Sequence, residues 1–240
     1  MPLFKRADVS IYFEEYGSGF PLLLFAPGGM RSNIEFWRQS PFNPISELSG
    51  DFRVIAMDQR NAGRSTAPVA AHHGWHSYTE DHLALLDHLR INKCNLMGGC
   101  IGSSYCLGLI KLAPDRVGAA VLQNPIGLSE KNRALFRAMF DGWASDLKKK
   151  NPAVDDAGWT QFRENMYGGD FVFNVSREFV RSCGTPLLIL AGSDDYHPAP
   201  VSQEIASLAP KAELVVEWKT PELIPDTVKR VRKFLQTYQS

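Results

Sequence analysis

Five residues near the middle of the chain, Gly98-Gly99-Cys100-Ile101-Gly102, constrain its fold more than any other segment. A strand-like run over 94–97 precedes them and a helical pattern follows, so the segment predicts a strand, a tight turn and a helix. A nucleophile at such a turn has a strained backbone, and glycines two positions to either side let the strand and helix pack closely. The spacing therefore predicts that Cys100 is a nucleophile.

Further apolar runs recur along the chain, with helical patterns between them. Continuous apolar runs are typical of strands covered on both faces. Strands that alternate with helices predict a mostly parallel, twisted sheet with helices on both faces, and therefore an α/β fold. The predicted strands cover residues 9–13, 21–26, 52–57, 94–97, 119–123, 186–191 and 212–217. The helix pattern that follows the third strand starts at a predicted capping box, Ser77-x-x-Glu80.

Residues 126–183 interrupt this alternation. Their helical pattern is rich in aromatic residues, which predicts a helical cap insertion over the carboxyl edge of the sheet. The predicted core is then 1–125 and 184–240, within a single domain. We expect the cap residues Phe136, Phe140 and Trp143 to contact a substrate, together with His76 from a loop that starts at the same edge.

Composition excludes several classes of function. The 26 basic and 26 acidic residues give a formal net charge of zero, which argues against nucleic acid or an anionic membrane as a partner. The N-terminus does not resemble a signal peptide. The four cysteines contain no C-x-x-C pair, which predicts reduced thiols in a cytoplasmic protein without a metal site or other cofactor. The expected partner is a small-molecule substrate, and the oligomeric state is left open.

Four motifs in this order are similar to those of the α/β-hydrolase superfamily, and the resemblance covers nearly the whole chain. They are the elbow at 98–102, the loop 58–65 (D-x-R-G-x-G-x-S in the family, with Asn61 for the first glycine), the turn 27–30, and the G-x-x-D loop 192–195. The resemblance implies an α/β-hydrolase fold and makes Asp195 the catalytic acid, with Asp194 as the alternative. It also implies an oxyanion hole formed by the N–H of Ile101 and that of Gly29 or Met30.

One member of the family's usual site is missing. The superfamily places its catalytic histidine after the final strand, but no histidine follows His197 in this chain. His197 lies just beyond the acid loop, on the edge where Cys100 is predicted. We therefore predict His197 as the base or acid, with His76 as the alternative.

A cysteine suits such an altered site. A thiol with a pKa near 8.5 is only slightly ionised at neutral pH, but a helix N-terminus favours the thiolate. The predicted function is a hydrolase or acyl transferase that uses Cys100 on a small ester, lactone or thioester. Dienelactone hydrolases are members of the superfamily with a cysteine nucleophile. Two alternatives remain: a binding or sensor protein that has lost catalysis, and a lyase or isomerase that uses the same pocket.

Overall fold

The computed structural model describes residues 2–239, and within them eight strands form one sheet. The strands are β1 (Leu3–Arg6), β2 (Val9–Tyr16), β3 (Pro21–Phe25), β4 (Arg53–Met57), β5 (Cys94–Gly99), β6 (Val117–Gln123), β7 (Leu187–Leu190) and β8 (Ala212–Val215). They lie in the order β1-β2-β4-β3-β5-β6-β7-β8. β2 pairs antiparallel with β1 and β4, and the remaining pairs are parallel, which confirms the predicted α/β fold class.

Helices follow most of the strands. They are α1 (Pro44–Leu48), α2 (Trp75–His88), α3 (Ile101–Leu112), α4 (Arg133–Lys148), α5 (Asp156–Tyr167), α6 (Arg177–Ser182), α7 (Ala199–Leu208) and α8 (Ile224–Thr237). Since α4, α5 and α6 all lie between β6 and β7, the aromatic segment is helical. Its division from the core at 126 and 183 stays a prediction.

The central strands are apolar on both faces because each face is covered. Leu23 and Phe25 of β3 pack in a cluster with Leu85 of α2 and Leu109 of α3. Leu22 and Leu24, which alternate with them along β3, lie on the other face of the sheet. They belong to a second cluster, which includes Val231 and Leu235 of α8. The period of two along a strand thus divides the core into two layers.

The predicted strand–turn–helix around Cys100 is confirmed. Cys100 lies between β5 and α3 with φ +57°, a backbone conformation that non-glycine residues rarely adopt. A Cβ at Gly98 would lie 2.1 Å from the carbonyl oxygen of Gly102, and one at Gly102 would lie 2.1 Å from that of Phe25. Both glycines are therefore required by contacts between backbones, which place Cys100 at the carboxyl end of β5.

The start of α2 differs from the prediction. Ser77 is the third residue of this helix, whose first residue is Trp75 and whose N-cap is Gly74. A Cβ at Gly74 would lie 3.0 Å from the Cβ of Asn165, so α5 packs on the backbone where the helix begins. This contact with a distant segment decides the boundary, and the local capping pattern does not show it. The strand β1 also lies outside the predicted set.

Contacts of α4 position the aromatic segment relative to the sheet. Arg31, in the turn that follows β3, donates to the carbonyl of Gly142 at 2.8 Å and to the carboxylate of Asp146 at 2.6 Å. A Cβ at Gly29 would lie 2.2 Å from the sulfur of Met139. The middle of α4 therefore covers the loop that follows β3.

Candidate active site

The loop after β7 folds tightly and carries an imidazole and its carboxylate partner. The N–H of Asp194 donates to the carbonyl of His197, and the N–H of His197 donates to the carbonyl of Asp194. Gly192 permits this fold, because a Cβ there would lie 2.2 Å from the carbonyl oxygen of His197. The Asp194 carboxylate also accepts from the N–H groups of Tyr196 and His197, both at 3.0 Å.

The side chains of the same two residues meet. Nδ1 of His197 lies 2.7 Å from Oδ1 of Asp194, and the imidazole is 17% exposed. Nε2 is buried and makes no well-formed hydrogen bond within residues 2–239. Because Asp194 fixes Nδ1 as the proton donor, Nε2 is the nitrogen left for exchange with another group.

The thiol of Cys100 is the group that interacts with this imidazole. Burial raises the pKa of the Cys100 thiol, but hydrogen bonding to His197 and its positive charge outweigh burial and lower the pKa below its ordinary value. Burial lowers the pKa of His197, yet its interactions with Cys100 and Asp194 raise it to about 9. The interaction is looser than a formed hydrogen bond, as is common for catalytic pairs without a substrate. The shifts favour a thiolate beside an imidazolium.

Asp194, the alternative in the sequence prediction, is the carboxylate that contacts His197. The side chain of Asp195 is exposed and makes no hydrogen bond within the described residues. Its backbone carbonyl instead accepts from Nδ2 of Asn132 at 2.8 Å. The choice of Asp195 is therefore not supported by the geometry, because the tight turn directs the carboxylate three residues before the histidine toward the imidazole.

Two backbone N–H groups act on the sulfur of Cys100. They belong to Ile101 and to Gly28, and both contribute to the lowered pKa of Cys100. The oxyanion-hole role of Ile101 stays a prediction. Ile101 is the first residue of α3, so its N–H has no partner inside the helix. Gly28 has φ +113° and Gly29 has φ +57°, which turns the chain sharply after β3.

The predicted donors Gly29 and Met30 lie in the same turn. The side chain of Met30 is buried in the core, and the Cα of Gly29 faces Met139. Gly28 is the donor that acts on the sulfur, and sequence reasoning missed it. The glycine-rich turn itself was the signal, but its φ angles decide which N–H points to the cysteine.

A tryptophan occupies the loop after β8, where the family resemblance places a histidine. Trp218 is 1% exposed, and its Nε1–H donates to the carbonyl of Ala191 at 2.8 Å. Its own carbonyl accepts from the hydroxyl of Thr227 at 2.9 Å. Trp218 therefore joins the loop after β8 to the end of β7, just before the segment that carries His197.

The remaining histidines lie in other environments. His82 is fully buried, its Nε2 lies 2.8 Å from Oε1 of Gln59, and burial lowers its pKa to about 3, so it is a neutral core residue. His76 is exposed and borders two cavities of about 270 and 450 Å³, and Cys100 lines neither of them. The structure does not bring His76 to the nucleophile.

The three predicted cap aromatics are core residues. Phe136 and Phe140 are 0% exposed and Trp143 is 2% exposed. They pack edge-on against aromatic neighbours such as Phe162, whose ring centroid lies 5.2 Å from that of Phe140. Phe136 also meets Tyr196, in the His197 loop, at 5.7 Å. A direct role in substrate binding stays a prediction for all three.

The part of the chain that the structure describes has two further properties. It contains no group of three histidine, cysteine, aspartate or glutamate residues arranged to hold a metal ion. None of its helices has the length and apolar character needed to cross a membrane.

Comparisons with known proteins agree with this fold. Residues 21–157, more than half of the chain, match the family described as alpha/beta hydrolase fold. The chain belongs to that family. It is 28% identical over 123 residues to a 2-hydroxymuconate semialdehyde hydrolase from a Pseudomonas species, which covers 51% of this chain and 42% of the relative. The chain spans about half the length of the curated relatives it matches.

Solved structures resemble the whole chain. A meta-cleavage product hydrolase from Pseudomonas fluorescens superposes with a TM-score of 0.74 at 18% identity, covering 99% of this chain and 98% of the other. An enol-lactonase from Burkholderia xenovorans gives a TM-score of 0.71 at 21% identity, covering 98% and 100%. At these identities the likeness concerns the fold alone.

Proposed function

We propose that this protein is a hydrolase or acyl transferase that attacks a small ester, lactone or thioester with the thiolate of Cys100. The observation that carries the proposal is the 2.7 Å contact between His197 and Asp194, which leaves the buried Nε2 of His197 to interact with Cys100. Hydrolase names among the relatives, including the enol-lactonase, support the substrate class. The expected partner is a small molecule.

The reaction follows from the positions of these groups. The Cys100 sulfur attacks the carbonyl carbon and forms a C–S bond, while the N–H groups of Ile101 and Gly28 donate to the developing oxyanion. Each such donor contributes roughly 3–4 kcal/mol. When the tetrahedral intermediate collapses, the bond to the leaving group breaks and Nε2 of His197 gives that group its proton.

Release of the acyl group uses the same residues in reverse. Nε2 of His197, now neutral, takes a proton from water, whose oxygen attacks the thioester carbonyl. The C–S bond breaks, and the Cys100 thiolate and the His197 imidazolium are restored. Another nucleophile in place of water makes the reaction an acyl transfer. Asp194 holds the imidazole throughout and stabilises its positive charge.

The test is acylation followed by turnover. Incubation with p-nitrophenyl acetate should give a burst of p-nitrophenol, followed by steady release of p-nitrophenol. Mass spectrometry should show an acetyl adduct on Cys100. A His197→Ala variant should lose turnover, whereas a His76→Ala variant should keep it. An adduct on Cys100 without turnover would indicate a sensor or a degenerate enzyme. Absence of an adduct in the folded protein would contradict the proposal.

A further inference from the structure

Three buried tyrosine hydroxyls in this protein have no hydrogen-bond partner. Tyr78, Tyr105 and Tyr167 are at most 1% exposed, and none of their hydroxyl oxygens is hydrogen-bonded within residues 2–239. Leaving a buried hydroxyl unpaired costs about 1–3 kcal/mol. Buried hydroxyls of this kind call for an explanation, and one is a hydrogen-bond partner that the chain itself does not supply.

The rings form one cluster that packing alone holds in place. Tyr78 and Tyr105 stack with ring centroids 5.1 Å apart, and Trp75 packs edge-on against Tyr105 at 5.6 Å and Tyr167 at 6.2 Å. Nε1 of Trp75 donates to the carbonyl of Met166 at 2.7 Å, which joins α2 to α5. The hydroxyls are not needed to hold the rings in position.

Two of the three hydroxyl-bearing rings belong to the surroundings of Cys100. Tyr105 lies one helical turn after Ile101, and side chains on a helix tilt toward its N-terminus, which here is the elbow. Burial is the main reason that the pKa values of Tyr105 and Tyr167 are raised, and the charge of Cys100 raises both further. The charge of Cys100 does not act on Tyr78.

The sheet order separates α2, which carries Trp75 and Tyr78, from the His197 loop. α2 follows β4 and the His197 loop follows β7, and these strands lie on opposite sides of β5 in the order β4-β3-β5-β6-β7. His197 delivers a proton to the leaving group, which must therefore lie on the β7 side of Cys100. An acyl group on the opposite side of Cys100 would lie toward Tyr105, whose ring packs against Trp75 of α2 at 5.6 Å.

We propose that Tyr105 and Tyr167 donate hydrogen bonds to a second, uncharged oxygen on the acyl group of the substrate, separate from the carbonyl that Cys100 attacks. A ketone or ether oxygen fits because each phenol supplies one donor. Arg60, whose charge acts on Tyr105, is already paired with the carboxylate of Asp81 at 2.8 Å and does not neutralise a ligand charge. A carboxylate fits less well, since it would be buried beside the Cys100 thiolate. This inference rests on the proposed function.

The test compares matched esters on matched variants. p-Nitrophenyl 4-oxopentanoate and pentanoate differ in one ketone oxygen, as do the 5-oxohexanoate and hexanoate, and the ratio of their kcat/KM values measures recognition of that oxygen. In at least one pair, Tyr105→Phe and Tyr167→Phe should lower the ratio about 5- to 100-fold. Tyr78→Phe removes an equivalent buried hydroxyl outside the influence of Cys100 and should leave the ratio unchanged.

Two results would overturn the inference. Ratios that stay at the wild-type value in both Tyr105→Phe and Tyr167→Phe would show that neither hydroxyl recognises the oxygen. If the Phe variants lower kcat/KM equally for the oxo ester and the alkyl ester of both pairs, the hydroxyls have a purely structural role.

Failure of the proposed function is recognised separately. If the wild-type protein forms no acyl adduct on Cys100, the chemistry is wrong, and the subsite is tested by binding of 4-oxopentanamide and pentanamide. The wild-type protein should then bind the oxo compound at least about fivefold more tightly, and both Phe variants should lose the difference. Equal binding of the two amides would overturn the subsite itself.

Discussion

Nδ1 of His197 lies 2.7 Å from Oδ1 of Asp194, whereas the adjacent Asp195 turns its side chain to solvent. An Asp194→Asn substitution keeps the shape but removes the charge that holds and stabilises the imidazolium. We expect kcat/KM with p-nitrophenyl acetate to fall about 10- to 100-fold. The matched control, Asp195→Asn, should stay within about twofold of the wild-type protein. The reverse ranking of the two variants would assign the acid to Asp195.

The pH dependence of thiol reactivity should reflect the Cys100–His197 pair. Because the pKa of Cys100 is lowered, alkylation of this thiol by iodoacetamide should remain fast below the usual thiol pKa of about 8.5. Burial raises the pKa of the Cys100 thiol and His197 lowers it, so in His197→Ala the midpoint of the alkylation profile should move to higher pH. An unchanged midpoint in that variant would show that His197 does not control the thiol.

Turnover should fall on the alkaline side for a different reason. The pKa of His197 is about 9, so the imidazolium is fully formed well below that pH and loses its proton as the pH rises through it. Since the leaving group needs this proton, acylation by an ester with a poor leaving group should decrease through about pH 9. A rate that keeps rising above pH 10 would contradict the role of His197 as the acid.

A serine at the elbow should not replace the cysteine. In Cys100→Ser the hydroxyl cannot ionise near neutral pH, and His197 loses the thiolate that raises its pKa. We expect the acylation rate with p-nitrophenyl acetate to drop at least about 100-fold. Circular dichroism should show an unchanged fold, since the two side chains are nearly isosteric. A serine variant with wild-type turnover would mean that the site does not depend on a thiolate.

The elbow glycines should be indispensable for folding. A methyl group at Gly98 would lie 2.1 Å from the carbonyl oxygen of Gly102, and neither backbone moves freely between β5 and α3. Gly98→Ala should therefore lower the melting temperature by at least about 6 °C or prevent folding. Gly142→Ala is the matched control: nothing lies within 4 Å of its added Cβ. It lies within α4, where alanine is favoured by roughly 1 kcal/mol, so its melting temperature should be unchanged or higher. Equal melting temperatures for the two variants would contradict the clash.

The sequence was informative wherever one local pattern determines one structure. Gly98 and Gly102 predicted a close approach of backbones, and the structure contains it. Asn61, which replaces the first glycine of the family's loop, has φ +56°, a conformation in which asparagine is enriched. The apolar runs predicted the central strands because a strand that is buried on both faces has apolar residues at successive positions.

Contacts between distant segments account for what the sequence did not show. The start of α2 depends on Asn165, in a distant segment of the chain, and the N–H of Gly28 acts on Cys100 because of the φ angles of its turn. The choice between Asp194 and Asp195 depends on how the loop closes on His197. Adjacent aspartates have the same chemistry, so composition and spacing carry no information about which side chain turns inward.

The 192–198 loop closes on itself through the backbone bonds between Asp194 and His197, and its position in the fold is fixed by β7 and by Trp218. The imidazole and its carboxylate are therefore neighbours by covalent connectivity. Their mutual orientation does not depend on how two separate loops dock, as it would if the histidine followed β8. An insertion or deletion beyond Trp218 changes the stability of the α8 layer without separating the two groups. The carboxylate and the imidazole can be inherited, moved or lost together as a single short segment.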